Sequence, residues 1–145
     1  MSDVQVVSYR KDVEKATEKA LKKAARMIGG SVAGHAIELC PVDTGLLRNS
    51  ITFALGGEAP AITDYKSDKK KKDGSYTEGH YDGTAPEDGD HETSVYVGTN
   101  VEYAPYQELG APNANVPARP FLRPACENNR EEIHQIIEKC CKELN

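Results

Sequence analysis

The sequence predicts an α+β fold: a long N-terminal helix, a small antiparallel sheet with a long flexible hairpin insert, and a C-terminal helix packed on the sheet. Three observations carry that expectation. Small and apolar residues recur at spacings of three and four over residues 9–39 and again over 121–144, the period of one helix face. Residues 51–55 and 93–98 alternate with the period of a half-buried strand. Residues 56–92 between them hold almost no aliphatic side chain beyond Ile62. Strand and helix patterns do not alternate often enough for a doubly wound sheet.

Residues 1–8, with Val4, Val6 and Val7, read as a strand or a frayed arm. The helix of 9–39 carries Val13, Ala16, Ala20, Ala24, Met27 and Ile28 on one stripe. Lys15, Lys19, Lys22 and Lys23 lie mostly on the other face, where Glu14 and Glu18 can pair with them. Gly29, Gly30 and Gly34 fall inside this pattern, and each costs a helix up to ~1 kcal/mol relative to Ala. Either the helix weakens there or a neighbour packs closely; one long helix with a weak point is the expectation.

Pro41 then stops the helix at or before Cys40, because its ring clashes with the preceding turn and it has no amide donor. In Cys40-Pro41-Val42-Asp43-Thr44-Gly45-Leu46-Leu47-Arg48-Asn49-Ser50-Ile51, Asp43 or Thr44 is suited to cap one or two helical turns anchored by Leu46 and Leu47. The strand 51–55 follows, making a helix–turn–helix–strand corner.

Residues 56–92 contain the run Lys69-Lys70-Lys71-Lys72, three tyrosines and many Gly and Asp. Ten acidic residues against five lysines give this segment a charge of −5, the whole net charge of the chain. Such a composition buries too little apolar area to offset its ordering entropy, so 56–92 is expected as a mobile charged insert within a single domain, 1–145, either a long loop or a hairpin extension ordered only against a partner. The strand 93–98 pairs antiparallel with 51–55, and Val101-Glu102-Tyr103 extends it past a bulge at 98–100. Ala104–Leu109 reads as a short helix, with Pro105 near its first position and Gly110 just past its end. A loop at 111–120 holds Pro112, Pro117 and Pro120. The last helix starts near Phe121 or Pro124 and runs to Leu144, with Leu122, Cys126, Ile133, Ile137, Cys140 and Leu144 on one stripe. Glu127, Glu131 and Glu132 precede Lys139 and Lys142, the order the helix dipole favours.

The 145 residues are 38% hydrophobic, lack Trp and have a mean hydropathy of −0.62. The net charge of −5 argues against a general nucleic-acid binder. No stretch approaches the roughly 20 apolar residues of a membrane span, and Met1-Ser2-Asp3-Val4 opens no signal-peptide pattern. A soluble chain made in a cytosol is therefore expected. Cys40, Cys126, Cys140 and Cys141 show no CxxC spacing and read as thiols rather than a disulfide or metal set.

Asp43-Thr44-Gly45 spells the aspartic-protease triplet, but there the triplet follows an apolar strand and two carboxyls share a proton. Here it follows a helix and reads first as a capped turn. His80, Asp82, Asp88, Asp90 and His91 could supply metal ligands, yet they lie in the charged insert without a scaffold to orient them. His35 and His134 are single histidines on helices. No glycine-rich phosphate loop, GxSxG elbow or HExxH is present. Neither a catalytic residue, a metal nor a cofactor is expected.

The block Pro41-Val42-Asp43-Thr44-Gly45-Leu46-Leu47-Arg48-Asn49-Ser50-Ile51 resembles a family of neck proteins from long-tailed bacteriophages. Two further blocks support the likeness: Val95-Tyr96-Val97-Gly98-Thr99-Asn100-Val101-Glu102-Tyr103-Ala104-Pro105-Tyr106-Gln107-Glu108-Leu109-Gly110 and Pro117-Ala118-Arg119-Pro120-Phe121-Leu122-Arg123-Pro124-Ala125. Their order and spacing resemble the gene-product-ten-like tail-completion or head–tail joining proteins of lambdoid-type phages and prophages, except that the charged insert is longer.

The resemblance implies a non-enzymatic, ring-forming homo-oligomer, six-fold favoured, between capsid and tail tube. Its partners would be other neck and tail-tube proteins, its place the virion after assembly in the host cytoplasm, with no specific nucleic-acid or membrane binding. Pro41, Asp43, Thr44, Gly45, Leu46, Arg48 and Ser50 form the structural motif. Tyr103, Pro105, Tyr106, Glu108, Gly110, Arg119, Phe121 and Arg123 are candidates for an inter-subunit interface, where aromatic and Arg side chains are enriched. Local structural roles compete: Arg48 and Arg119 can tie loops to carbonyls, and Phe121 can be core. Two other functions stay open, a cytosolic module that captures a basic partner with its acidic insert and, more remotely, an aspartic-type hydrolase.

Overall fold

Helix α1, Arg10–Leu39, runs unbroken through all three of its glycines. The computed structural model describes residues 5–89 and 93–144, so Val4, Asp90, His91 and Glu92 lie outside the described residues. Residues 5–9 take no regular secondary structure. Gly29 is a point of close approach: a Cβ there would lie 2.6 Å from a Phe53 ring carbon and 2.7 Å from a Val95 methyl. Gly34, by contrast, faces open space. The alanine stripe serves the same end, since Ala24, Ala25, Ala33 and Ala36 are buried and let neighbouring elements come close.

The helix ends at Cys40, whose extended backbone (φ −66°, ψ 130°) is the conformation a following proline imposes. Helix α2, Leu46–Ser50, leads into β1, Thr52–Leu55. Strand β4, Val95–Gly98, pairs with β1 antiparallel in the register Thr52↔Gly98 to Leu55↔Val95. The expected continuation of β4 through Tyr103 is absent. The Thr99 hydroxyl takes the Val101 amide and the Tyr81 hydroxyl takes the Asn100 amide, so neither donor is free for the ladder.

Of the two forms open to residues 56–92, loop or hairpin, the structure shows the hairpin, a second two-stranded sheet. Its strands are β2, Asp64–Lys70, and β3, Tyr76–His80, joined by a turn in which Gly74 has φ +86°. A lone two-stranded hairpin is marginal in water, so its contacts with α2 matter.

Beyond α3, Ala104–Leu109, and a 3-10 turn at Pro112–Ala114, the expected single C-terminal helix is two: α4, Leu122–Glu127, and α5, Arg130–Lys142. Asn129 turns its side-chain amide onto the Ala125 carbonyl, the kind of local bond that competes with a continuous helix. Both helices make their main contacts with α1 rather than with the sheet. Ser31 and His35 of α1 meet Glu132 of α5 at 2.7 Å each. Val32, Ala33, Ala36, Cys40, Leu47, Ile51, Val101, Ala104, Phe121 and Ala125 form one core cluster, with Phe121 and Ala125 fully buried. Burial pushes the Cys40 thiol up to about 11, which leaves it a protonated, unreactive core group.

Candidate functional site

The corner of residues 41–51 is a receptor for the hairpin. Gly45, at φ +84°, is the N-cap of α2, in place of the expected Asp43 or Thr44. Thr44 supports the turn with its hydroxyl, which accepts the Leu46 amide at 3.4 Å. Its carbonyl accepts the Asp68 amide of β2 at 2.8 Å. A Cβ on Gly45 would fall 2.1 Å from the Asp68 carboxylate, so the missing side chain is the space in which Asp68 sits. Arg48 then pairs with Asp68, and Asn49 donates to Asp68 Oδ1 at 2.9 Å and to the Lys66 carbonyl at 2.8 Å. Leu47 and Ser50 are buried, and Ser50 Oγ bonds Thr99 at 2.6 Å.

A second set of bonds holds the return strand. The Tyr81 hydroxyl donates to the Ser50 carbonyl at 2.5 Å, and Tyr65 bonds Asn100. Asn100 also donates to the His80 carbonyl at 2.7 Å. The Tyr65 and Tyr81 rings lie 5.5 Å apart and tilted, and burial raises the pKa of both phenols. At the hairpin's outer edge His80 bonds Asp64 at 2.6 Å, which raises the imidazole pKa. Asp68, Asn49, Tyr65, Tyr81 and Asn100 are absent from the sequence-derived site residues; the three tyrosines of the insert were the visible signal.

The 103–123 residues divide into buttress and surface. Glu108 accepts three amides, from Phe121 at 2.7 Å, Leu122 at 3.0 Å and Arg123 at 2.9 Å, and so caps α4 from another element. Burial pushes this carboxyl up, but the three amides more than offset it and hold Glu108 below its ordinary value. The Arg119 amide donates to the Gln107 carbonyl at 2.7 Å, and Gly110, at φ +76°, lets the backbone of Ala118 approach. Phe121 is fully buried and belongs to the core, which removes it from any surface.

Pro105, Tyr103, Tyr106, Arg119 and Arg123 are outward-facing. Tyr106 is 58% exposed and Leu109 70%, and with Tyr103 they recur every third residue along α3. Beside them, Pro41, Val42, Asp43, Tyr103, Gln107 and Arg119 line a cleft of about 150 Å³. The motif corner and the α3 face thus meet.

Asp43 has a 96% exposed side chain, 3.7 Å from Lys69. Such an exposed carboxylate lacks the desolvated setting of a proton-sharing dyad. Asp88 accepts the Ser94 amide at 2.9 Å, while His80 is held between Asp64 and Asp82. Among the described residues no cluster of three His, Cys, Asp or Glu side chains is placed to hold a metal ion. Nor, among them, is any helix long and apolar enough to cross a membrane.

A family model described as "Bacteriophage HK97-gp10, putative tail-component" matches residues 5–110. The chain belongs to that family. The HK97-gp10-like span takes in α1, the corner, the hairpin and α3; the block at 117–125 lies beyond it. A relative from Methanocaldococcus jannaschii, described as uncharacterized protein MJ0331, is 32% identical over 93 residues, which is 59% of this chain and 68% of that one. No solved structure matches significantly. Within the HK97-gp10-like family frame, the polar corner is where this chain secures its hairpin.

Proposed function

We propose that this tail-component family member is a structural subunit of the phage neck, completing the head–tail junction by self-assembly and without catalysis. It acts as a cyclic homo-oligomer, six-fold favoured, that meets other neck and tail-tube proteins, forming in the host cytoplasm and ending in the virion. The observation that carries the reading is the exposed α3 face of Tyr103, Tyr106 and Leu109, continuous with Val42 across the corner cleft. Apolar and aromatic groups set together on a surface mark protein contacts. Pro105, Arg119 and Arg123 form its rim, while Glu108 and Gly110 support it from below.

Light scattering over a concentration series, with negative-stain images of the same fractions, tests this directly. Closed rings are expected. Tyr106→Ser with Leu109→Ser should shift the protein to smaller species without changing its thermal unfolding as a monomer. A two-fold dimer that this pair of substitutions leaves intact would sink the reading, as would peptidase activity lost on Asp43→Asn.

A further inference from the structure

The N-terminal half of α1 leaves the core: from Arg10 to Lys23 only Ala20 is even half-buried, and Val13 is 61% exposed. Between this half-helix and the base of the insert runs a groove of about 850 Å³. Val13 and Leu21 supply its apolar surface. Its far wall is built, not loose. Gly57 donates to Pro86 at 2.9 Å, Ala85 donates to Glu58 at 2.9 Å, and Arg26 grips both Glu58 oxygens at 2.7 and 2.9 Å. Three of its five carboxylates are paired, Glu14 with Arg10, Glu18 with Lys22 and Glu58 with Arg26, which leaves Glu87 and Asp88 on the far wall opposite Lys11 and Lys15 on the helix. Glu87 and Asp88 have no ion-pair partner among the described residues.

The opposite charge sits at the other end of the molecule. Lys69, Lys70, Lys71 and Lys72 crowd the hairpin tip against Asp73, and Lys69 reaches Asp43 just past the end of α1. At roughly 1.5 Å of rise per residue, this end lies roughly 30 Å along α1 from the groove. Lys66 and Lys70 brace Tyr76, 4.7 and 5.5 Å from the ring centre, which stiffens the tip. The exposed α3 face shares this basic end, because Asp43 and Tyr103 line one cleft.

A closed ring with one kind of contact needs two different, complementary patches on each subunit. We propose that a second copy of this chain seats its lysine hairpin tip and α3 face in the groove along the N-terminal half of α1. This rests on the assembly reading and gives it a direction, head to tail. The apolar residues of α3 meet Val13 and Leu21, and the lysines meet Glu87 and Asp88 on the far wall.

The test is a charge exchange on the full chain, read by sedimentation and light scattering. Reversing the tip (Lys69→Glu, Lys70→Glu, Lys71→Glu and Lys72→Glu) should weaken self-association by roughly tenfold or more. Reversing the groove (Glu18→Lys and Glu87→Lys) should do the same. Both changes in one chain should restore assembly. Mixing the two single-site variants should restore assembly in alternating order, since the tip of each then meets a complementary groove on the other. Circular dichroism checks folding; the substituted side chains are exposed.

Wild-type assembly unchanged by tip reversal, or a combined variant that stays dissociated, overturns the proposal and leaves the assembly reading standing. A wild-type chain that remains monomeric at its highest concentration and low salt overturns both. Tip reversal that abolishes retention of a short DNA duplex and spares assembly reassigns the lysines to nucleic acid.

Discussion

Gly45 answers two demands at once, a left-handed backbone and the space for Asp68. For any other L-residue that backbone costs about 1–2 kcal/mol, before the collision is counted. Gly45→Ala should therefore destabilise the fold by about 2–3 kcal/mol in denaturant unfolding. The two effects separate in a double-mutant cycle with Asp68→Ala. Asp68→Ala should cost less in the Gly45→Ala background than in wild type; strict additivity would mean that the two residues do not share the space. Glu108 carries the second prediction. Its carboxyl titrates below the ordinary 4.5, so its stabilisation is present above that value in the unfolded chain and is lost as pH falls through the lower folded value. Glu108→Ala should cost about 1–2 kcal/mol at neutral pH, as for a lost helix cap. Glu108→Gln, with one acceptor oxygen, should cost less and flatten the acid limb of the stability profile below 4.5. An unchanged acid limb in Glu108→Gln would assign that limb to other carboxylates.

Elements were legible in proportion to how much their contacts depend on aliphatic side chains. The stripe of α1, the alternation of β1 and β4, and the Pro105–Gly110 bracketing of α3 all leave hydrophobic or backbone signatures in the sequence. The hairpin leaves little. Its inward positions are Tyr65 and Ser67, and its anchors are Asp68, Tyr81 and bonds to backbone carbonyls, none of which shows in a hydrophobic pattern. The break between α4 and α5 was hidden for a related reason, since Asn129 interrupts the helix by bonding locally to the Ala125 carbonyl rather than by shape. The corner motif could be recognised as a block but not as a receptor, because its partner lies in the least patterned stretch. Packing of α1 on the sheet gives a test at this scale. Ala for Gly inside a helix gains up to ~1 kcal/mol, while overpacking costs about 1–3 kcal/mol. Gly29→Ala, pressed against Phe53 and Val95, should therefore destabilise by about 1 kcal/mol. Gly34→Ala, in open space, should stabilise by up to ~1 kcal/mol. Equal effects at the two glycines in thermal unfolding would remove the close-approach account.

At the scale of the molecule, burial is uneven along one continuous helix. Residues 24–36 of α1 supply buried positions to the core, whereas the turns before Lys23 meet mostly solvent. An isolated helix shorter than roughly 12–15 residues is marginal in water, and packing normally supplies what propensity lacks. The exposed ion pairs Arg10–Glu14 and Glu18–Lys22 add at most a few tenths of a kcal/mol each. Amides of residues 14–22 should thus exchange with solvent deuterium far faster than those of 28–36 in the monomer, although both belong to one helix. Assembly with the groove as an interface covers this half-helix, so its exchange should slow specifically on ring formation, together with that of residues 85–88 across the groove. Protection gained only around α3, with 14–22 unchanged, would place the neighbouring subunit elsewhere. Strong protection of 14–22 already in the monomer would mean that the half-helix is stabilised within its own chain and has no need of a partner.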